Sequence, residues 1–338
     1  MKKLLIHTPE GFRDLYGGEL VRKRALMGHI RDVFSSYRYC GIETPMVEYF
    51  DVFGSDVGTT PSSELYKFFD RDGNTLVLRP DFTPSVARAV SMHFSEEDMP
   101  YRVSYEGSTF VNSQEYQLLL KEQTQMGVEL IGDGSVEADA EILMLTCDAL
   151  RRAGLTDFLL SVGENNYFKS LAQDSGLGEE RIEEVRRLIS NKNFFGVDEL
   201  LEAEETSPRI REAFVHLPQL FGGSEILAEA ESYAANEGAA LAIERLRAIE
   251  QLTRGTGNER YISYDFGLLS KFHYYTGIIF SAYTYGVGEP VAKGGRYDRL
   301  VGHFGVDAPA VGVGFSVDHM MNALARLGTR KERDLCDI

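Results

Sequence analysis

Among the side chains whose types could do chemistry are Asp81 and Thr83 in Leu78-Arg-Pro-Asp-Phe-Thr83, and Gln125 and Glu129 in Gln125-Met-Gly-Val-Glu129. A carboxylate beside a hydroxyl suits an ammonium group. A buried glutamate facing a tyrosine can accept a ring N–H and favour one charge state or tautomer of that ring. Tyr274 and Tyr275 are adjacent, and neighbouring strand residues face opposite sides, so only one of them can face a given pocket; Tyr275 is favoured. Each residue has a plainer reading as well: Asp81 as a solvated carboxylate, Glu129 as a salt-bridge member, the tyrosines as sheet core. His273 and His319 have no second ligand at metal spacing, and Cys40, Cys147 and Cys336 are far apart with no CxxC pair. Neither a metal site nor a disulfide framework is expected. Gly312-Val-Gly314 lacks the third glycine of a dinucleotide fingerprint and no βαβ unit follows it, so Gly294, Gly295, Gly312 and Gly314 read as places of tight turning or close backbone approach.

The elements that must position these residues can be read from periodicity. Leu20, Met27, Ile30, Val33 and Phe34 mark an amphipathic helix over 13–37. An extended segment over 42–48 follows, with Pro45 at an edge or interface because proline cannot donate to a central ladder. Residues 66–78 read as a hairpin around Asp-Arg-Asp-Gly73, and 84–93 as a helix. Strands are expected over 101–111 and 123–131, a long helix over 136–153 ending at Gly154, and a strand over 158–162. Residues 167–255 show helical spacing and no clear strand, which predicts a helical insertion. Strands resume over 262–266, 275–285 and 310–314, separated by glycine-rich stretches at 286–295 and 302–305, and a helix over 317–327 closes the pattern. Antiparallel pairs with helices between them predict an α+β fold rather than a doubly wound parallel sheet. The core is expected over 1–166 and 256–328, with 329–338 as a short tail.

Composition narrows the class. The 338 residues are 43% hydrophobic and 26% charged, with no apolar run near the ~20 residues of a membrane span. The N-terminus lacks a signal-peptide core, which predicts a cytoplasmic protein. With 35 Lys+Arg against 52 Asp+Glu, the net charge is −17, which disfavours phosphate backbones and hence nucleic acid. The basic runs Arg22-Lys23-Arg24 and Arg330-Lys331 are short and read as solvated faces.

Taken in order, Pro45, Leu78-Arg-Pro-Asp-Phe-Thr83, Gln125-Met-Gly-Val-Glu129, Tyr274-Tyr275-Thr-Gly277, Gly294-Gly-Arg-Tyr-Asp298 and Ala310-Val-Gly-Val-Gly314 resemble the catalytic core of histidyl-tRNA synthetase, a class II aminoacyl-tRNA synthetase. The likeness runs from Thr8 to Leu327. It implies the class II antiparallel sheet flanked by helices, with the helical block at the family's insertion. By that likeness Asp81 and Thr83 match the positions that hold a histidine's α-ammonium, Gln125 their polar neighbour, and Glu129 and Tyr275, with Tyr274 adjacent, the imidazole partners. Pro45, Met46 and Val47 fall in the motif that lies on the family's dimer interface.

The departures from the family are as informative. Its phosphate-facing arginines fall at Val111, Ser270 and His319, and because phosphoryl chemistry is mostly positioning and charge stabilisation, adenylation is not expected. The ligand's carboxylate loses a partner at Ser270, leaving Lys271, Arg296 or a partner chain to replace it. The C-terminal anticodon-binding domain, about 100 residues, is not expected. Such a core looks like the regulatory-subunit family of ATP phosphoribosyltransferase. The resemblance implies a non-catalytic chain without cofactor and with L-histidine as allosteric ligand. It also implies a self-dimer that joins the short-form catalytic subunit in a hetero-octamer, activates it and confers feedback inhibition at the first step of histidine biosynthesis. The alternatives are a degenerate histidine-activating enzyme and a synthetase-like tRNA-binding module.

Overall fold

Helix α1 (Gly17–Ser36) buries Leu26, Ile30, Val33 and Phe34, the three- and four-residue steps visible in the sequence. In the computed structural model, which describes residues 7–54, 60–112, 120–270 and 275–328, two short strands follow, β1 (Cys40–Gly41) and β2 (Val47–Tyr49). The extended segment expected over 42–48 is thus broken, and Pro45, which has no N–H, lies in the break. β2 is the edge of a small antiparallel sheet ordered β2-β4-β3, in which β3 (Lys67–Phe69) and β4 (Thr75–Leu78) form the expected hairpin. The Asp70 carboxylate ties its turn by accepting the amides of Asp72 and Asn74.

Helix α2 (Thr83–His93) starts with Pro84 in its first turn. The long antiparallel pair β5 (Tyr101–Phe110) and β6 (Glu122–Ile131) follows. Helix α3 (Val136–Arg152) is capped by the Ser135 hydroxyl on the Ala138 amide and terminated by Gly154 at φ +96°. Strand β7 (Phe158–Glu164) leads into the helical block α4 (Asn165–Asp174), α5 (Glu179–Ser190), α6 (Phe194–Ala203) and α7 (Pro208–His216). Then come β8 (Phe221–Gly222), α8 (Ile226–Ser232) and α9 (Glu237–Thr253). β8 was not legible, because two residues show no period; it pairs with β9 (Ile262–Asp265). The interior of the helical block, including Val185, Leu201, Phe214 and Leu246, is continuous with Met126, Val128 and Leu160 beneath the sheet, so the block is packed onto the core rather than tethered to it.

The chain continues through β10 (Ile278–Thr284), β11 (Ala292–Arg296), β12 (Ala310–Ser316) and α10 (Val317–Arg326). β11 lies largely inside the stretch 286–295 that reads as a separator. It is a central strand of a nine-stranded sheet ordered β1-β5-β6-β12-β11-β10-β7-β9-β8, antiparallel except at β1–β5 and β7–β9. The fold is therefore mixed α and β with a large, mostly antiparallel sheet flanked by helices. Helices α1, α3 and α10 share one hydrophobic cluster with Met126, Val128 and Leu130 of β6. The opposite face packs Phe82, Val86 and Val90 against Val103, Tyr105 and Tyr297. No helix among the described residues is long and apolar enough to cross a membrane.

Candidate functional site

The two-residue period of β6 sends Met126, Val128 and Leu130 into the helix-side core and leaves Gln125, Gly127 and Glu129 on the other face. That face floors a cavity of about 250 Å³ whose lining includes Asp81, Thr83, Tyr105, Gln125, Glu129, Tyr275 and Tyr297. Asp81 and Thr83 come from the start of α2, where Asp81 Oδ1 accepts the Thr83 amide at 2.7 Å. Tyr275 precedes β10 and Tyr297 follows β11. A wider, more open groove of about 950 Å³ beside Tyr37, Arg151 and Arg260 shares none of these residues.

Glycines make the floor possible. A Cβ at Gly312 would lie 1.6 Å from Glu129 Oε2, and one at Gly314 would lie 2.4 Å from Gln125 Nε2. Gly127 and Gly295 have the rings of Tyr105 and Tyr275 directly over them. The glycines that blur the strand signal of β11 and β12 are thus the surface on which the polar side chains lie.

Glu129 is 1% exposed. Its Oε1 accepts the Thr83 hydroxyl at 2.8 Å and its Oε2 accepts the Tyr297 hydroxyl at 2.5 Å. Burial pushes its carboxyl up to about 8, with the Asp81 charge adding to the rise and the hydrogen bonds from Tyr297 and Thr83 opposing it. Burial, and then the Glu129 charge, hold Tyr105 and Tyr297 protonated. The Gln125 side-chain amide makes no hydrogen bond among the described residues. The arrangement therefore offers a carboxyl whose ionisation is opposed by burial, held between two hydroxyls, an uncommitted side-chain amide, and Asp81 at the cavity wall.

Five of the positions expected to form a site, Asp81, Thr83, Gln125, Glu129 and Tyr275, line this one cavity. Tyr274 and Lys271 lie outside the described residues. Arg296, offered as a carboxylate partner, does not line the cavity. It is 2% exposed, and its guanidinium donates to Asp139, Asp298 and the carbonyls of Asp133 and Ser135. The physical reason is the strand alternation: Arg296 turns toward α3 while Tyr297 turns toward the cavity. Tyr297 and Tyr105 are the site residues that sequence reasoning missed, and the Gly-Gly-Arg-Tyr-Asp298 string was the available signal for the former. Lys121 and Lys293 are the cationic side chains lining the cavity among the described residues. Val111 and His319 line it too, with His319 Nδ1 3.0 Å from the Pro290 carbonyl, while Ser270 does not. Among the described residues no group of three or more His, Cys, Asp or Glu could hold a metal ion.

Pro45, Met46 and Val47 are exposed, Met46 by 47%. The register of the small sheet puts Val47, Tyr49, Phe68, Leu76 and Leu78 on one face, while Glu48 and Val77 turn inward. An apolar sheet face is thus turned outward.

Comparisons agree with this architecture. The family model described as histidyl-tRNA synthetase matches residues 11–320. The chain is 38% identical over 337 residues to the ATP phosphoribosyltransferase regulatory subunit of Acetivibrio thermocellus, covering 100% of this chain and 81% of the relative. It is 36% identical to the one from Ruminiclostridium cellulolyticum, covering 100% and 80%. The crystal structure of an ATP phosphoribosyltransferase regulatory subunit/histidyl-tRNA synthetase from Bacillus halodurans superimposes with a TM-score of 0.89 at 32% identity, covering 96% of this chain and 84% of that one. Histidyl-tRNA synthetase from Nostoc shares the fold, with a TM-score of 0.81 at 21% identity over 96% and 77% of the two chains. With full-length identity of this order and a matching sheet, the chain belongs to the ATP phosphoribosyltransferase regulatory subunit family, built on the histidyl-tRNA synthetase fold.

Proposed function

We propose that this chain is a non-catalytic cytoplasmic subunit that binds L-histidine in the cavity, activates a short-form ATP phosphoribosyltransferase catalytic subunit, and makes it sensitive to feedback inhibition at the first step of histidine biosynthesis. The observation that carries the reading is the convergence of Asp81, Thr83, Gln125, Glu129 and Tyr275 on one cavity that Val111 and His319 also line. In this proposal Asp81, Thr83 and the open Gln125 amide take the ligand's ammonium. Glu129 and Tyr275 take its imidazole, and Lys121 or Lys293 balances its carboxylate. Tyr274, beside them in sequence, is assigned no contact.

The apolar face of the small sheet fits self-dimerisation, with Pro45, Met46 and Val47 at its border. Such dimers would assemble with the catalytic subunit into a hetero-octamer. The net charge of −17 suits a protein partner better than a nucleic acid.

Calorimetry with L-histidine and histidine-dependent pyrophosphate exchange with ATP test the reading together. Binding without exchange is expected. Exchange at a synthetase-like rate would instead identify a histidine-activating enzyme, and absence of binding would remove the ligand assignment. Co-purification with a short-form catalytic subunit tests the partner.

A further inference from the structure

Helix α4 grips a cavity residue from outside the cavity. Lys169 Nζ and Asn165 Nδ2, one helical turn apart, both donate to the main-chain carbonyl of Tyr275, at 2.7 and 3.2 Å. The Asn165 amide donates to the Gly277 carbonyl at 3.1 Å. On the other side of the same segment, the Thr276 amide donates to the Arg296 carbonyl at 2.7 Å, and the Asp298 amide donates to the Thr276 hydroxyl at 2.9 Å. Residues 275–277 are therefore clasped between the helical block and the end of β11, with the Tyr275 ring lying over Gly295 at the cavity floor.

The Lys169 ammonium is half-buried, and the Tyr275 carbonyl is its hydrogen-bond partner; no carboxylate lies within ion-pair distance among the described residues. Burial lowers its pKa, the Arg299 charge lowers it further, and Glu164 opposes both. Partial burial of a charged donor is costly, and here the hydrogen bond to the Tyr275 carbonyl offsets that cost. A second bridge runs in parallel: buried Asp139 of α3 accepts from Arg296 in the sheet and from Arg245 of α9. The helical block is thus bonded directly to Tyr275 and, through Asp139, to Arg296.

We propose that Lys169, with Asn165, is a positioning residue that couples the helical block to the ligand cavity by fixing the backbone of Tyr275. The proposal rests on the reading of the cavity as a histidine site and adds a route for its regulation. Coupling of this kind is reciprocal: a ligand that closes on Tyr275 tightens α4, and a partner that holds α4 readies Tyr275 for the ligand.

The full chain is compared with Lys169→Met, which keeps the aliphatic stem, and Lys169→Arg, which restores a donor. Lys169→Gln serves as the neutral variant if the methionine protein does not fold. In ligand-free protein, amide exchange across 275–280 should rise about tenfold in Lys169→Met, the factor matching a hydrogen bond from a charged donor, and return toward normal in Lys169→Arg. Unchanged exchange overturns the clasp whether or not the cavity takes histidine. With L-histidine as probe, the wild-type chain should gain protection in α4, and Lys169→Met should lose that gain and bind about tenfold more weakly. Equal affinity and equal protection in the two proteins overturn the coupling. A wild-type chain that binds no histidine removes the ligand assignment and the coupling with it, and the ligand-free exchange still decides the clasp.

Discussion

The Tyr297 hydroxyl donates to Oε2 of Glu129 across an intervening strand: Glu129 lies on β6, Tyr297 follows β11, and β12 runs between them with Gly312 directly opposite Glu129. The bond exists because position 312 has no side chain. Thr83 closes the carboxyl from the other side. Three strands and the first turn of α2 thereby fix one ionisable group.

Gly312→Ala tests that dependence, since its methyl would meet Glu129 Oε2 at 1.6 Å. Glu129 must leave its place, and calorimetry should show histidine binding reduced by at least about tenfold, the loss of one charge-assisted hydrogen bond. Gly288→Ala meets nothing within 4 Å and is the neutral control. Full affinity in Gly312→Ala would show that Glu129 does not contact the ligand.

Glu129→Ala should lower affinity for histidine by about 10- to 150-fold, the ~1.5–3 kcal/mol of a buried hydrogen bond to a charged group, and with it the histidine sensitivity of the assembled enzyme. The pH dependence is specific as well. The bound pair of Glu129 and imidazole shares one proton. Below about pH 6.5, where a free imidazole is charged, the pair must release a proton on binding. Above about 8, where Glu129 is ionised, it must take one up. Affinity measured by titration should peak between these limits, and Glu129→Gln should lose the alkaline fall. A flat profile in the wild-type chain would contradict the pairing.

The same carboxyl affects the stability of the ligand-free chain. Its folded value of about 8 lies above the ordinary 4.5, so the native state holds the proton more tightly than the unfolded chain does. Stability must then fall as pH rises through that window. Glu164, pushed up to about 7 by burial, acts in the same direction, so the informative comparison is wild type against Glu129→Gln. Urea midpoints should decline less steeply between pH 5 and 8 in the variant. Parallel declines would show that Glu129 is ionised throughout.

Val47→Asp places a charge on the apolar face shared with Tyr49, Phe68, Leu76 and Leu78. If that face joins two copies, the unpaired charge costs roughly several kcal/mol, and light scattering at micromolar concentration should show monomer where the wild-type chain is a dimer. Met46→Asp should act in the same direction. Dimers in both variants would place the interface elsewhere.

Much of this fold was legible because local physics enforces it. The apolar steps from Leu26 to Phe34 make α1, Gly154 at positive φ ends α3, and Asp-Arg-Asp-Gly73 turns the β3–β4 hairpin. The spacing of Gln125 and Glu129 puts them on one strand face in any fold that makes a strand there. Tertiary structure decided what depends on neighbours distant in sequence. β11 was hidden by Gly294 and Gly295, whose lack of side chains gives no period and makes sense only with Phe280 and Tyr275 lying over them. Arg296 and Tyr297 are adjacent and both polar, and only the packing of α3 on one side and α2 on the other sent the guanidinium to Asp139 and the phenol to Glu129. The hold of Lys169 on Tyr275 spans 106 positions, and no sequence period reaches that far. Side-chain type and strand phase are local properties of a chain, whereas the partner a side chain meets is set by which elements share a core.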